Sequence, residues 1–230
     1  NGIPLNEAIL SYSVDEFVLF NNYMIELIQN GVVKMNKNKI FHTDLKPSNI
    51  LVKKYRPIII DWGEALIVNE NMRIGGRPLQ YNQPFAILLT GERFATLYHD
   101  FLDEHNITNK LEKQHLKPLK RILTDIINTY GYGHFSTISE IYGIIYNSTN
   151  IEYNNTMTTN LITRNLIKIL RKHTVNGHFD SVNYYKNVYL PNADIVGMVI
   201  CYESTFEWIN NLNLSLNVKQ KFIGNIQNLL

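Results

Sequence analysis

Apolar residues recur at helical spacing over most of the chain. Between residues 15 and 29, Phe17, Phe20, Met24, Leu27 and Ile28 fall on one stripe, the pattern of a helix with one buried face. Ser13 and Glu16 ahead of it have capping-box spacing, and Gly31 stands where a helix end favours a left-handed residue. Four more stripes follow. The first is Phe94, Leu97, Tyr98, Phe101 and Leu102. The second is Leu119, Ile122, Leu123, Ile126, Ile127 and Tyr130, with Pro118 near its start or at a kink. Ile138, Ile141, Tyr142 and Ile145 make the third, and Leu161, Ile162, Leu166, Ile169 and Leu170 the fourth. A mostly polar stretch, 174–187, separates these from residues 193–210. That last segment is apolar on nearly every side, with Ile195, Val196, Met198, Val199, Ile200, Phe206 and Trp208, which predicts a central helix. The helical period breaks at residues 50–52 and 58–60, two short apolar runs flanking 53–57 that read as a small hairpin. Residues 64–84, with Gly75, Gly76, Pro78 and little periodicity, read as a loop. The pattern therefore predicts a mainly α protein with one small hairpin and no internal repeat.

Composition narrows the class. The 230 residues are 45% hydrophobic, enough for a sizeable core. A net charge of +2 excludes a strongly basic arm or an acidic tail, so no nucleic-acid partner is expected. The single cysteine, Cys201, excludes a disulfide framework or a cysteine-rich metal site, and its apolar setting makes it a core residue. No apolar run approaches the roughly 20 residues of a membrane helix, so no membrane partner is expected either. The chain opens on Asn1 with no signal-peptide pattern and reads as a piece of a longer, soluble, intracellular, cytoplasmic protein. It holds 30 Asn and 29 Ile but 5 Ala, a bias toward AT-rich codons that suits a large DNA virus or an AT-rich protist. In such a chain the glycosylation-like triplets at Asn106, Asn147, Asn154 and Asn213 are expected by chance. Lys110, Lys113, Lys117, Lys120 and Arg121 recur at helical spacing, either a solvated face or a surface for an acidic partner.

The candidate chemistry is concentrated in residues 41–65, FHTDLKPSNILVKKYRPIIIDWGEA. Asp44 and Asn49 sit on a Pro-containing loop before one strand, and Asp61 ends the other. A hairpin brings Asn49 and Asp61 close, because one precedes its first strand and the other follows its second. Paired hard oxygens suit Mg²⁺, which keeps few protein ligands. Asp44 then faces the same space as a potential base, and Lys46 adds a point charge for phosphate.

In type, order and spacing, His42, Asp44, Leu45, Lys46, Pro47, Asn49, Asp61 and Gly63 resemble the catalytic loop and magnesium loop of the eukaryotic-type protein kinase superfamily. The resemblance implies that Asp44 orients the acceptor hydroxyl and takes its proton, and that Lys46 steadies the γ-phosphate of ATP. It gives Mg²⁺ to Asn49 and Asp61 and makes His42 a brace under the loop. The run Asp44-Leu45-Lys46-Pro47-Ser48-Asn49 is similar to the Ser/Thr branch. Trp62 is instead similar to aminoglycoside and choline kinase-like phosphotransferases, and a pseudokinase scaffold is a further alternative.

Departures from the kinase pattern shape the remaining expectations. Thr43 replaces the Arg that receives an activation-segment phosphate, and no Ser or Thr lies between Asp61 and Pro84. Switching by phosphorylation there is not expected. Gln83-Pro84-Phe85 stands at the closure of that segment without its Glu. Gly131-Tyr132-Gly133-His134 follows a helix and reads as a helix terminus, not a phosphate loop. Asp194 through Gly197 resembles the start of the central C-lobe helix, displaced by a long helical insertion; the alternative makes Asp194 an N-terminal helix charge. The insertion and the Pro-Phe closure are similar to giant-virus kinases. No Gly-rich strand loop or partner Lys is found upstream, so the N-lobe is expected in the same full-length chain and this fragment alone is expected to be inactive. The expected organisation is hinge end, catalytic loop and activation segment over 1–89, helical insertion over 90–190, and central helix with the C-terminal part over 191–230. The expected function is a serine/threonine protein kinase acting with ATP and Mg²⁺ on a protein substrate.

Overall fold

The structure, a computed structural model, describes residues 2–69, 77–129, 132–147, 152–213, 215, 217–219 and 221. In chain order its elements are β1 (Ile3–Pro4), α1 (Leu5–Ser11), α2 (Val14–Glu26), a π-helical segment (Leu27–Val32), α3 (Val33–Lys37), β2 (Ile40–Phe41), β3 (Ile50–Lys53), β4 (Arg56–Ile59), β5 (Leu66–Ile67), α4 (Glu92–Glu104), α5 (Leu116–Thr129), α6 (Phe135–Asn147), α7 (Asn155–His173), β6 (Thr174–Val175), β7 (His178–Phe179), α8 (Ser181–Tyr184), α9 (Leu190–Ile200) and α10 (Ser204–Asn211). Helix predominates, with small antiparallel sheets. No helix among the described residues is long and apolar enough to cross a membrane. The chain divides into two compact units, one of residues 1–69, 143–152 and 191–230, the other of 70–142 and 153–190.

In the first unit, α2 begins where the sequence signals it. Ser13 accepts from the Glu16 N–H (3.4 Å), and Glu16 Oε2 accepts from the Ser13 N–H (2.8 Å), closing the capping box. The helix does not end at Gly31, where the sequence predicts its end. The chain runs on through Gly31, which does not take a positive φ, as a π-helical segment and then α3. The predicted hairpin is present as β3 and β4, in register Ile50↔Ile59 to Lys53↔Arg56. Its turn is tighter than the five residues expected. Lys54 and Tyr55, both at positive φ (48° and 68°), make the two-residue connection whose twist matches the strands. Pro57 falls inside β4, an edge strand, where a missing N–H is tolerated. Residues 64–84 are not all loop: β5 pairs with β2, Phe41 opposite Leu66. Gly75 and Gly76 lie outside the described residues.

The predicted helix over 193–210 is two helices. Beyond Ile200 the backbone bonds tighten to the residue three back (Tyr202 to Val199, Glu203 to Ile200), and α10 starts afresh at Ser204. It docks through Trp208, which stacks on Phe17 (ring centroids 4.2 Å) and donates from Nε1 to the Tyr12 carbonyl (2.8 Å). Phe20, Met24, Phe41, Leu45, Ile50, Met198 and Cys201 complete this core.

In the second unit the four predicted stripes become α4 to α7, burying Phe94, Tyr98 and Phe101, then Leu119, Leu123 and Ile127, then Ile138 and Ile141, then Ile162, Leu166 and Leu170. Tyr130, Gly131 and the Ile145 side chain lie outside the described residues. Pro118 sits in the first turn of α5, near its start, where a missing N–H costs little. The stretch 174–187 is no mere polar separator. It forms the β6–β7 hairpin around Asn176 and Gly177 (φ 53° and 64°), then α8, and buries Phe179 among Phe94 and Tyr98. Gly133 meets the Leu79 backbone too closely for any side chain, and the His134 N–H donates to the Leu79 carbonyl (2.9 Å), so this glycine serves packing. Gln83 is buried and accepts from Tyr189 Oη (2.5 Å).

Candidate functional site

The site is built on the loop after β2. Its floor is Asp194, the fifth residue of α9 and fully buried. Asp194 therefore is not an N-terminal helix charge. Its Oδ2 accepts from the His42 N–H (2.9 Å) and its Oδ1 from the Thr43 N–H (2.8 Å). Asn36, its amide turned so that the nitrogen faces acceptors, is the third donor to this carboxylate, at Oδ2 (2.9 Å), while also facing the Val32 and Ile40 carbonyls. Burial pushes the Asp194 carboxyl up, against the pull of its donors. One carboxylate thus fixes two successive backbone amides of the loop.

His42 is fully buried. Its Nδ1 accepts from the Asp44 N–H (3.3 Å), so the ring proton sits on Nε2, which donates to the Ile60 carbonyl (2.9 Å). Trp62 lies edge-on to the ring at 4.9 Å. Thr43, at φ 61°, donates from Oγ1 to the Glu64 carbonyl (2.7 Å). These two bonds fasten the loop to the segment on either side of Asp61.

The next residues turn back on themselves. Pro47–Asn49 form a 3₁₀ turn, and the side chains of Lys46 and Asn49 converge on Asp44. Lys46 Nζ lies 2.7 Å from Asp44 Oδ2, and Asn49 Nδ2 donates to Asp44 Oδ2 (3.0 Å) and to the Asp44 carbonyl (2.8 Å). Asp44 and Lys46 stay partly open to solvent, whereas Asn49 is buried. Because its nitrogen is committed to Asp44, Asn49 is left with Oδ1 as its acceptor oxygen.

Asp61 follows β4 at φ 58° and ψ 71° with an exposed side chain. The hairpin brings its neighbour Ile60 to Asn49, the Ile60 N–H donating to the Asn49 carbonyl (2.9 Å). No side-chain bond joins Asp61 to Asn49 or Lys46. The structure thus gathers Asp44, Lys46 and Asn49 into one hydrogen-bonded cluster and sets Asp61 beside it through the backbone.

Two supporting residues were not foreseen in these roles. Gly197 lets α9 press against the loop, since a Cβ there would stand 2.5 Å from the Leu45 carbonyl oxygen. Its signal was the three-residue spacing from Asp194, which puts both on one helix face. Asn36 carried no signal, being one asparagine among 30.

Residues 12–74 match the family model of the RIO domain. The matched stretch runs from the start of α2 past β5 and includes Asp44, Lys46, Asn49 and Asp61. It is similar to the RIO-type atypical protein kinases, and so kinase-like in a broader sense than the Ser/Thr branch. No curated protein matches the chain.

Proposed function

We propose that this protein is an ATP-dependent phosphotransferase that passes the γ-phosphoryl group to a serine or threonine hydroxyl of a protein substrate. The observation that carries the reading is the fixed carboxylate of Asp44, oriented by Lys46 and Asn49 through a single oxygen. Such a carboxylate accepts the hydroxyl proton as the new P–O bond forms, and Lys46, already beside it, offers its charge to the transferred group. Mg²⁺ fits the donor set: a buried amide oxygen of Asn49 whose nitrogen is occupied elsewhere, and the exposed carboxylate of Asp61, both hard ligands. When bound, the ion neutralises phosphate charge. The left-handed backbone at Asp61 keeps its carboxylate outside the β4 ladder, where a nucleotide phosphate has access.

A small-molecule acceptor is the second reading, favoured by Trp62, whose indole is half exposed beside Asp61. Both readings are tested by following transfer from labelled ATP in the protein that carries this chain. Asp44→Asn should lower turnover by roughly 10²–10⁴-fold with nucleotide affinity nearly unchanged, because the base acts on the acceptor. Asp61→Asn should damage Mg·ATP binding and turnover together. Wild-type transfer in both variants would mean that this cluster is not the reaction centre. Transfer to aminoglycoside or choline-like acceptors, with none to protein, would select the second reading.

A further inference from the structure

The charge of +2 for the whole chain conceals a strong segregation within the second unit. Helix α4 holds four acids, Glu92, Asp100, Asp103 and Glu104, against Arg93. Helices α5 and α7 together hold seven basic residues against one acid, Asp125. On α5, Lys117, Lys120, Arg121, Thr124 and Asn128 recur every three or four residues and share a face. On α7, Asn160, Arg164, Lys168 and Arg171 do the same. The two stripes border one another, because Lys120 Nζ donates to Asn160 Oδ1 (2.8 Å) across the helix pair. All six cations of the stripes are exposed, and none is in an ion pair among the described residues. On α5 the stripe lines a shallow surface cleft together with Thr124, Asp125 and Asn128.

We infer that this two-helix face binds the phosphate backbone of a nucleic acid. Unpaired like charges gathered on packed helices repel one another, and a polyanion relieves that repulsion while releasing its counterions. The spacing suits a repeating anion, since cations recur once per helical turn along each stripe. The choice of polyanion rests on what accompanies the charge. A protein interface needs apolar or aromatic anchors at its centre, and a membrane surface needs an apolar face to insert. Neither α5 nor α7 carries an exposed large apolar side chain among the described residues; their apolar stripes are buried. Between the cations stand amides and a hydroxyl (Thr124, Asn128, Asn160), which bond phosphate and sugar oxygens without reading bases. The surface is independent of the chemistry at Asp44, and binding should not be sequence-specific.

Fluorescence anisotropy with a labelled single-stranded RNA of mixed sequence, about 20 nucleotides and longer than one such site, tests the inference. The whole protein should bind it, and affinity should fall linearly on a log–log plot against salt. Replacing Lys117, Lys120 and Arg121 together by Gln should weaken binding by about tenfold or more and flatten the salt slope by about 2, near 0.7 per lost phosphate contact. Replacing Arg164, Lys168 and Arg171 by Gln should act in the same direction, which guards against misfolding of one variant. The same change at Lys34, Lys37 and Lys53 should do little. Absence of binding, equal weakening by the control variant, or equally tight capture of a polyglutamate peptide through the same residues would each overturn it, the last in favour of an acidic protein partner.

Discussion

Thr43 sits at φ 61°, a left-handed conformation that a β-branched side chain adopts only under constraint, at a cost on the order of 1–3 kcal/mol. The constraint is visible. Its N–H is held by Asp194 and its hydroxyl by the Glu64 carbonyl, so the residue is pinned from two directions. Where the kinase pattern has an Arg that awaits a phosphate, this protein has a short bond that is permanently made. Thr43→Val removes that part-buried bond with almost no change of shape and takes the hydroxyl away from the Glu64 carbonyl. It should lower stability by about 1–2 kcal/mol in urea unfolding, and it should loosen the Asp61 segment so that Mg·ATP affinity falls with it. Unchanged stability and nucleotide affinity would show that the clasp has no consequence. His42 is bound by the same logic one residue earlier, its tautomer set by the Asp44 N–H and its proton given to Ile60.

Between elements, the decisive contact is that of α9 with the loop after β2. Gly197→Ala would drive a methyl group to within 2.5 Å of the Leu45 oxygen, a backbone atom that cannot give way alone. The loop must shift, and Asp44 shifts with it. A loss of about 1–3 kcal/mol is expected, with a fall in turnover larger than the fall in stability accounts for; wild-type turnover would show that the loop tolerates the displacement. Much of this scale was legible beforehand. The stripes of α4 to α7 follow from period alone, and the hairpin follows from two apolar runs too short for helices. The break between α9 and α10, at Cys201-Tyr202-Glu203, was hidden because no Gly or Pro marks it and large apolar residues stand on both sides, so composition showed burial but not direction. Gly31 misled for the opposite reason: a glycine inside a helix looks like its end, yet the backbone passes through it in a π-helical turn. At the site, Asp44, Lys46 and Asn49 could be grouped from sequence because a single turn joins them. Asn36 and Gly197 could not be assigned these roles, because their value depends on contacts across long sequence separations.

Across the whole molecule, aromatic burial sets a limit that the 14 tyrosines of the sequence do not reveal by number. Burial pushes the phenols of Tyr12 and Tyr202, in the first unit, up to about 12, and those of Tyr98 and Tyr184, in the second, to about 12 as well. Each of these groups is neutral when protonated, and the folded state resists its ionisation. A phenol with a folded value above its unfolded value near 10 binds more protons in the native state between the two, so its contribution is full below about pH 10 and is lost as pH rises toward 12. Because both units carry such residues, neither should escape alkaline destabilisation. Tyrosinate absorbance at 295 nm should therefore rise in two phases, exposed rings first and the buried set near pH 12 or abruptly with unfolding, whichever comes sooner. Far-UV circular dichroism recorded on the same samples identifies which. A single phase centred near pH 10 with the helical signal intact would mean that water reaches all of these rings, and that the cores of both units are looser than their packing indicates.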